Sequence, residues 1–215
     1  SIVRGAGLFQ DMDYANTVVR DLAYGRNIFV WKITKASCFS IDTVFIDNDL
    51  PTTPDAGPDQ VLCSYNTTMA ANNPGSLGEG RWYIINGSAT INEDDLDNPV
   101  ADVTNLALGN NTLRWQITKN ECSMFDDVVI TNNLPTPAYA GEDQSVCGDS
   151  TFLRANTPSR GTGQWQIAGG YADIIDPSSP ITKIKNLGYD ENYLKWVINH
   201  QGCISSDIVK ITNNL

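Results

Sequence analysis

The stretch Leu106-Ala107-Leu108-Gly109-Asn110-Asn111-Thr112-Leu113-Arg114-Trp115-Gln116-Ile117-Thr118 decides the fold. From Thr112 onward it alternates without a break. Leu113, Trp115 and Ile117 point to one side, and Arg114, Gln116 and Thr118 to the other. A period of two is the pattern of a strand with one face on a core and the other in water. The Gly109-Asn110 pair just before it is a turn signal. The stretch also occurs three times. Leu106-x-x-Gly109-x-Asn111-x-Leu113-x-Trp115 aligns with Leu22-x-x-Gly25-x-Asn27-x-Phe29-x-Trp31, and with Leu187-x-x-x-x-Asn192-x-Leu194-x-Trp196, where Asp190 replaces the glycine.

Working outward, the self-similarity extends over the chain. Cys38, Cys122 and Cys203 each stand seven residues after their tryptophan, and Asp42, Asp126 and Asp207 follow. Asn-Asn-Leu closes two copies at 132–134 and 213–215, and Asn48-Asp49-Leu50 closes the first. Upstream, Ala56-Gly57-Pro58-Asp59-Gln60 recurs 84 residues later as Ala140-Gly141-Glu142-Asp143-Gln144. At the same offset Cys63 matches Cys147 and Ala71-Asn72 matches Ala155-Asn156. Gly78-x-Gly80-x-Trp82 matches Gly161-x-Gly163-x-Trp165. Residues 54–137 and 138–215 are therefore read as complete repeats, and 1–53 as the C-terminal part of a truncated one. The expectation is a segment of a longer array. Ser1–Gln10 has no signal-peptide pattern, so a targeting signal is expected outside this chain.

Within repeat two, strands are expected at Gln60–Cys63, Thr67–Ala71, Gly80–Ile85, Ala89–Asn92, Val100–Val103, Thr112–Thr118 and Asp127–Thr131. Asn86-Gly87 ends the third of these as a turn. No amphipathic helix is found. Many short strands in about 80 residues, punctuated by turns, predict an all-β chain of tandem immunoglobulin-like β-sandwich repeats. Leu50-Pro51-Thr52-Thr53-Pro54 and Leu134-Pro135-Thr136-Pro137 read as extended, semi-rigid linkers that hold neighbouring modules apart. Trp31, Trp82, Trp115, Trp165 and Trp196 are assigned to the cores between sheets, in preference to sugar stacking.

The chain has 215 residues, 14 basic and 25 acidic side chains, and a net charge of −11. That balance argues against a nucleic-acid partner, since phosphates attract Lys and Arg. No stretch is long and apolar enough to span a membrane. Five cysteines, no Cys-x-x-Cys and a single histidine favour disulfides over zinc, and hence an oxidising compartment. Two pairings are compatible with the repeat. The preferred one lies within each repeat, Cys63–Cys122 and Cys147–Cys203, leaving Cys38 without its partner. The other, Cys63–Cys203, would staple neighbours through abutting poles.

Catalytic chemistry finds little support. His200 is the lone histidine and its counterpart in repeat two is Lys119. There is no nucleophile elbow and no phosphate loop. The run Asn92-Glu93-Asp94-Asp95-Leu96-Asp97 offers Asp94, Asp95 and Asp97 as weak calcium ligands, with a solvated acidic loop as the favoured reading. Asp59 and Asp143 are assigned to turns or backbone amides. Asn66, Asn86 and Asn110 stand in glycosylation tripeptides.

The combination Ala-Gly-x-Asp-Gln-x-Val/Leu-Cys, Gly-x-Gly-x-Trp and Leu-x-x-Gly-x-Asn-x-Leu-x-Trp resembles the PKD-like, immunoglobulin-like repeats of very large Bacteroidota surface proteins. These include gliding-motility adhesins exported by type IX secretion. The Trp-x-Phe-Gly-Asp-Gly hallmark of PKD domains is absent, since Tyr83-Ile84-Ile85 follows Trp82, which marks a divergent relative. The resemblance covers nearly the whole chain. It implies display on the bacterial cell surface, tandem arrays and adhesion or spacing, makes Asp42-Thr43-Val44 a weak O-glycosylation candidate, and supplies no catalytic residue. The expected partners are neighbouring repeats, other copies in a filament, and a surface polysaccharide or protein ligand. The alternative function is a non-catalytic spacer or carbohydrate-binding appendage of a secreted enzyme.

Overall fold

The computed structural model describes residues Ser1–Leu215 and is built almost wholly of strands. Repeat one contributes β1 (Ile2–Arg4), β2 (Leu8–Phe9), β3 (Val19–Arg20), β4 (Gly25–Lys35) and β5 (Cys38–Asn48). Repeat two contributes β6 (Gln60–Leu62), β7 (Thr67–Thr68), β8 (Glu79–Asn86), β9 (Thr90–Ile91), β10 (Asp102–Thr104), β11 (Gly109–Lys119) and β12 (Cys122–Asn132). Repeat three follows with β13 (Gln144–Val146), β14 (Thr151–Arg154), β15 (Thr162–Gly169), β16 (Asp173–Ile174), β17 (Ile181–Lys185), β18 (Asp190–His200) and β19 (Cys203–Asn213).

Repeats two and three have the same topology. A four-stranded sheet runs β6-β12-β11-β8 in one and β13-β19-β18-β15 in the other. A three-stranded sheet, β7-β10-β9 or β14-β17-β16, faces it. The first strand of each repeat joins the last in parallel, Gln60 opposite Ile130 and Gln144 opposite Ile211. The long hairpins β11–β12 and β18–β19 are fully antiparallel. Two sheets with alternating inward residues and this parallel first-to-last pairing make an immunoglobulin-like sandwich. The strands expected over Thr112–Thr118 and Asp127–Thr131 are each the inner part of an 11-residue strand.

Each sandwich encloses its own core. One is centred on Met69, Trp82, Leu113, Trp115, Ile117 and Ile130. The other is centred on Leu153, Trp165, Ile184, Leu194, Trp196 and Ile198. The tryptophans form directly opposed cross-strand pairs, Trp82 with Trp115 and Trp165 with Trp196. Their ring centroids lie 5.0 and 5.1 Å apart.

This pairing explains the Gly-x-Gly-x-Trp motif. The Trp115 ring lies over Gly80, so that a Cβ there would sit 2.1 Å from it. Trp196 lies over Gly163 in the same way. Overpacking a close-packed core costs ~1–3 kcal/mol. Gly80→Ala and Gly163→Ala are each expected to destabilise their module by about 3 kcal/mol, read from urea denaturation. An unchanged midpoint would show that the ring can move aside.

A buried asparagine at the start of each second Trp strand closes the sandwich end. Asn27, Asn111 and Asn192 are all fully or almost fully buried. The Nδ2 of Asn111 donates to the carbonyls of Ala107, Gly109 and Ile130, and its Oδ1 accepts from the amides of Ser88 and Ala107. Asn192 binds Gly188, Asp190, Ile211 and Tyr171 similarly. Asn48, Asn132 and Asn213, from the closing motif, donate to Leu22, Leu106 and Leu187.

Repeat one differs. Its larger sheet has three strands, β1-β4-β5, and only the pair β2–β3 stands beside it. Phe29 is buried, with Phe9 edge-on at 5.3 Å. Trp31, assigned to a core above, is instead 36% exposed. It borders an apolar groove with Phe9, Met12, Val19 and Val44. Residues 1–53 hold only the latter part of a repeat, and within them two short strands face the larger sheet.

Candidate functional site

The register places the cysteines at opposite ends of each sandwich. Leu62 pairs with Asn132 at one end of β12, whereas Cys122 opens that strand at the other. Ten residues of extended chain separate them, about 33 Å at ~3.3 Å per residue. Val146 and Asn213 set Cys147 apart from Cys203 in the same way. A disulfide needs its Cα atoms within roughly 7 Å.

The bond present is Cys63–Cys203, with Cα atoms 5.4 Å apart and a sequence separation of 140. This corrects the preferred within-repeat pairing: neither Cys63–Cys122 nor Cys147–Cys203 forms. Cys38, Cys122 and Cys147 are free and exposed. The physical reason is the 33 Å of strand inside a module, set against the abutment of the far pole of repeat two with the near pole of repeat three.

The rest of this junction is built from backbone hydrogen bonds. Thr136 exchanges bonds with Arg160: its amide donates to the Arg160 carbonyl at 3.0 Å, and its Oγ1 accepts from the Arg160 amide. Arg160 Nη2 reaches back to the Asn132 carbonyl at 2.7 Å. Ala138 donates to Ser205 Oγ and Ala140 to Asp207 Oδ2. The Asn156 side chain clips the linker through Tyr139 and Pro137. The first junction repeats much of this, with Thr52 donating to Leu77 and Pro74, and Asn72 clipping Asp55 and Thr53. Pro51, Pro54 and Pro135 are buried. The proline segments are thus not open spacers but straps fastened along the following module.

The recurring aspartates act as braces. Asp126 and Asp207 accept from the amides of Ala56 and Ala140, which seats the chain as it enters the sandwich. Asp59 and Asp143 accept from Val129 and Lys210 of the last strand, matching the assignment to backbone amides. Sequence reasoning missed the roles of Thr52, Thr136 and Arg160. The Thr at the same place in both linkers was the available signal.

The remaining candidates stand apart from one another. Glu93–Asp95 form a short 3-10 turn, and Asp94, Asp95 and Asp97 do not converge. No group of three or more His, Cys, Asp or Glu side chains comes together as a metal cage. His200 lies across the hairpin tip from Cys203, where Lys119 faces Cys122. Asn66, Asn86, Asn110 and Asp42 are exposed.

On the outer face of repeat two, Arg114 forms a forked ion pair with Asp127, at 2.7 and 2.9 Å, and lies 3.5 Å over the Phe125 ring. The hydrogen bond from Arg114 holds the Asp127 carboxyl below its ordinary value. A lowered folded-state value gives stability that is present above the unfolded-state value and lost as pH falls through the folded one. Asp127→Asn should therefore lower the urea midpoint slightly at neutral pH and by less at about pH 2, as protonation of Asp127 sets in. An equal shift at both pH values would reject the electrostatic origin.

No family model and no curated protein matches the chain. Among solved structures, hemolin, an insect immune protein, is 10% identical over 87% of this chain and 56% of its own, with a TM-score of 0.47. Titin domains I67–I69 are 11% identical over 88% of this chain and 75% of their own, with a TM-score of 0.43. Domains 3–5 of Drosophila OTK are 10% identical over 86% and 70%, with a TM-score of 0.39. The chain thus spans little more than half of hemolin.

Proposed function

We propose that this chain is a load-bearing, non-catalytic segment of a long extracellular adhesin, in which sandwiches joined end to end form a stiff stalk. The observation that carries the reading is the disulfide between modules, Cys63–Cys203, lying beside a strapped linker. A hinge between domains is usually a flexible linker with few crossing contacts. Here a covalent bond and the Arg160 and Thr136 hydrogen bonds cross the junction at separate points, which resists both bending and separation.

Module boundaries at 53/54 and 137/138 fall near the end of each proline strap, so most of a strap is counted with the module before it although it is fastened along the module that follows. The resemblance of the repeat motifs to those of Bacteroidota surface proteins supports a place on a bacterial cell surface. The disulfide suits an oxidising compartment outside the cytosol. The net charge of −11 suits an exposed surface that keeps neighbouring stalks apart.

Single-molecule pulling on the chain from Ser1 to Leu215 tests the reading. With the bond intact, the 140 residues between the cysteines cannot lengthen under load. Adding reductant should release roughly 460–500 Å of further contour length, at ~3.3–3.6 Å per residue. Equal contour lengths with and without reductant would reject the load-bearing role.

A further inference from the structure

The five cysteines occupy two structural positions. Cys63 and Cys147 directly follow the first strand of their modules, β6 and β13. Cys38, Cys122 and Cys203 open the last strand, opposite Lys35, Lys119 and His200 across the hairpin tip. One bond joins the two positions, and it runs from repeat two to repeat three.

Comparison of equivalent positions shows what the neighbour does. Cys203 is 2% exposed beneath the pole of repeat two, whereas Cys122 is exposed at the same place in its own hairpin. The position in repeat one that corresponds to Cys63 falls before Ser1, so the partner of Cys122 under this geometry lies outside residues 1–215. At the other pole, the backbone around Cys147 duplicates that around Cys63. Asn133 donates to the Leu62 carbonyl and Asn214 to that of Val146, both at 2.8 Å. Leu106 donates to Tyr65 and Leu187 to Asp149, at 3.0 and 2.9 Å. The thiol of Cys147 is thus presented by the same frame that presents the bonded Cys63.

We propose that Cys38, Cys122 and Cys147 are half-cystines of the same rung. The cysteine after the first strand of each module joins the cysteine opening the last strand of the module that follows. The occupant at Cys147 is a further module of this repeat type, docked on the pole of repeat three. The chemistry is ordinary thiol–disulfide exchange with a small-molecule disulfide such as oxidised glutathione. One thiolate attacks it, forming a mixed disulfide and releasing one reduced thiol. The second thiolate then attacks the protein sulfur and releases the other.

The rule has a consequence for connectivity. Each rung spans 140 residues, but first-position cysteines recur after 84. Cys147 lies inside the loop closed by Cys63 and Cys203, so its own rung would carry the next loop out of the first. Consecutive loops overlap, and an array built this way has no stretch between its outermost rungs that lies outside a closed loop.

The test reads connectivity, and is therefore independent of the pulling experiment. The full chain is extended after Leu215 by a second copy of residues 135–215, which reproduces the Asn-Asn-Leu-Pro junction. It is refolded in a glutathione redox buffer, alkylated, and mapped without reduction. Two rungs are expected: Cys63–Cys203, and Cys147 with Cys203 of the appended copy. Cys38, Cys122 and the appended Cys147 should be alkylated. Cys147 found alkylated, or joined to Cys203 of its own repeat, would overturn the rule.

A second measurement needs no extension. In the unextended chain, Cys203→Ser should leave all four remaining cysteines alkylatable, because Cys63 cannot reach Cys122 along its own sandwich. A Cys63–Cys122 bond in that variant would equally overturn it.

Discussion

Asn111→Ala is expected to destabilise repeat two by about 4 kcal/mol, far more than its size suggests. The side chain is fully buried and makes five hydrogen bonds, all to backbone. Alanine removes all five bonds at once, although the Ala107 amide keeps a second bond to the Ser88 carbonyl. It leaves the Ser88 and Ala107 amides and the Ala107, Gly109 and Ile130 carbonyls short of a bond at the closed end of the sandwich. A buried group left unmet costs ~1–3 kcal/mol, so the loss of a few of these bonds accounts for the expected effect.

Asn111→Asp keeps the shape and both acceptor contacts, yet turns the donors toward three carbonyls into a carboxylate. Its loss should be at least as large. Asn110 is the control. It is exposed, and its replacement by Ala should shift stability by about 0.5 kcal/mol or less. Urea denaturation followed by tryptophan fluorescence measures all three. An Asn111→Ala midpoint equal to that of Asn110→Ala would refute the role given to the buried amide.

That asparagine also shows where sequence reading succeeds and stops. The alternation of Leu113, Trp115 and Ile117 identifies the strand, its buried face and, through the repeat, its two sister strands. The fold class follows, because period and turn spacing are local properties. The recurrence of Asn27, Asn111 and Asn192 is equally visible, but its cause is not. The amide works by reaching the Ile130 carbonyl on β12 and the Ser88 amide beyond β8, and those two groups meet it only in the folded module. Trp31 fails for a related reason. Its motif matches that of Trp115 apart from Phe29 at the Leu113 position, yet burial of the ring depends on an opposing sheet, which residues 1–53 hold only in part.

The junction was legible in part. The linkers were recognised from their prolines, and both candidate disulfide schemes were visible. The choice between them turned on the length of β12 and β19. Eleven-residue strands carry the two cysteines of one module to opposite poles, whereas the shorter stretch expected over Asp127–Thr131 left that separation understated. Extension at strand ends depends on pairing with β11 and β18, a non-local effect that weak end propensities do not reveal.

The Cys63–Cys203 bond should couple the stabilities of two modules that have separate cores. When repeat two unfolds on a folded repeat three, Cys203 and the start of repeat three hold both ends of the loose chain at one pole. When repeat three unfolds instead, Cys63 and Leu134 do the same, since Asn133 is bonded to Leu62 at that pole. Either event closes a loop of about 70 residues, which in the chain-entropy model opposes unfolding by about 4 kcal/mol. Cys63→Ser should therefore lower the stability of both modules by about 4 kcal/mol each, although the substitution lies in only one. Cys203→Ser should do the same, and the double variant should lose nothing further, because both changes remove one constraint. Hydrogen exchange read by mass spectrometry separates the modules through peptides from β11 and β18. A loss confined to the module carrying the substitution, or a double variant that loses twice as much, would mean that the bond only decorates the junction and that the sandwiches unfold without reference to each other.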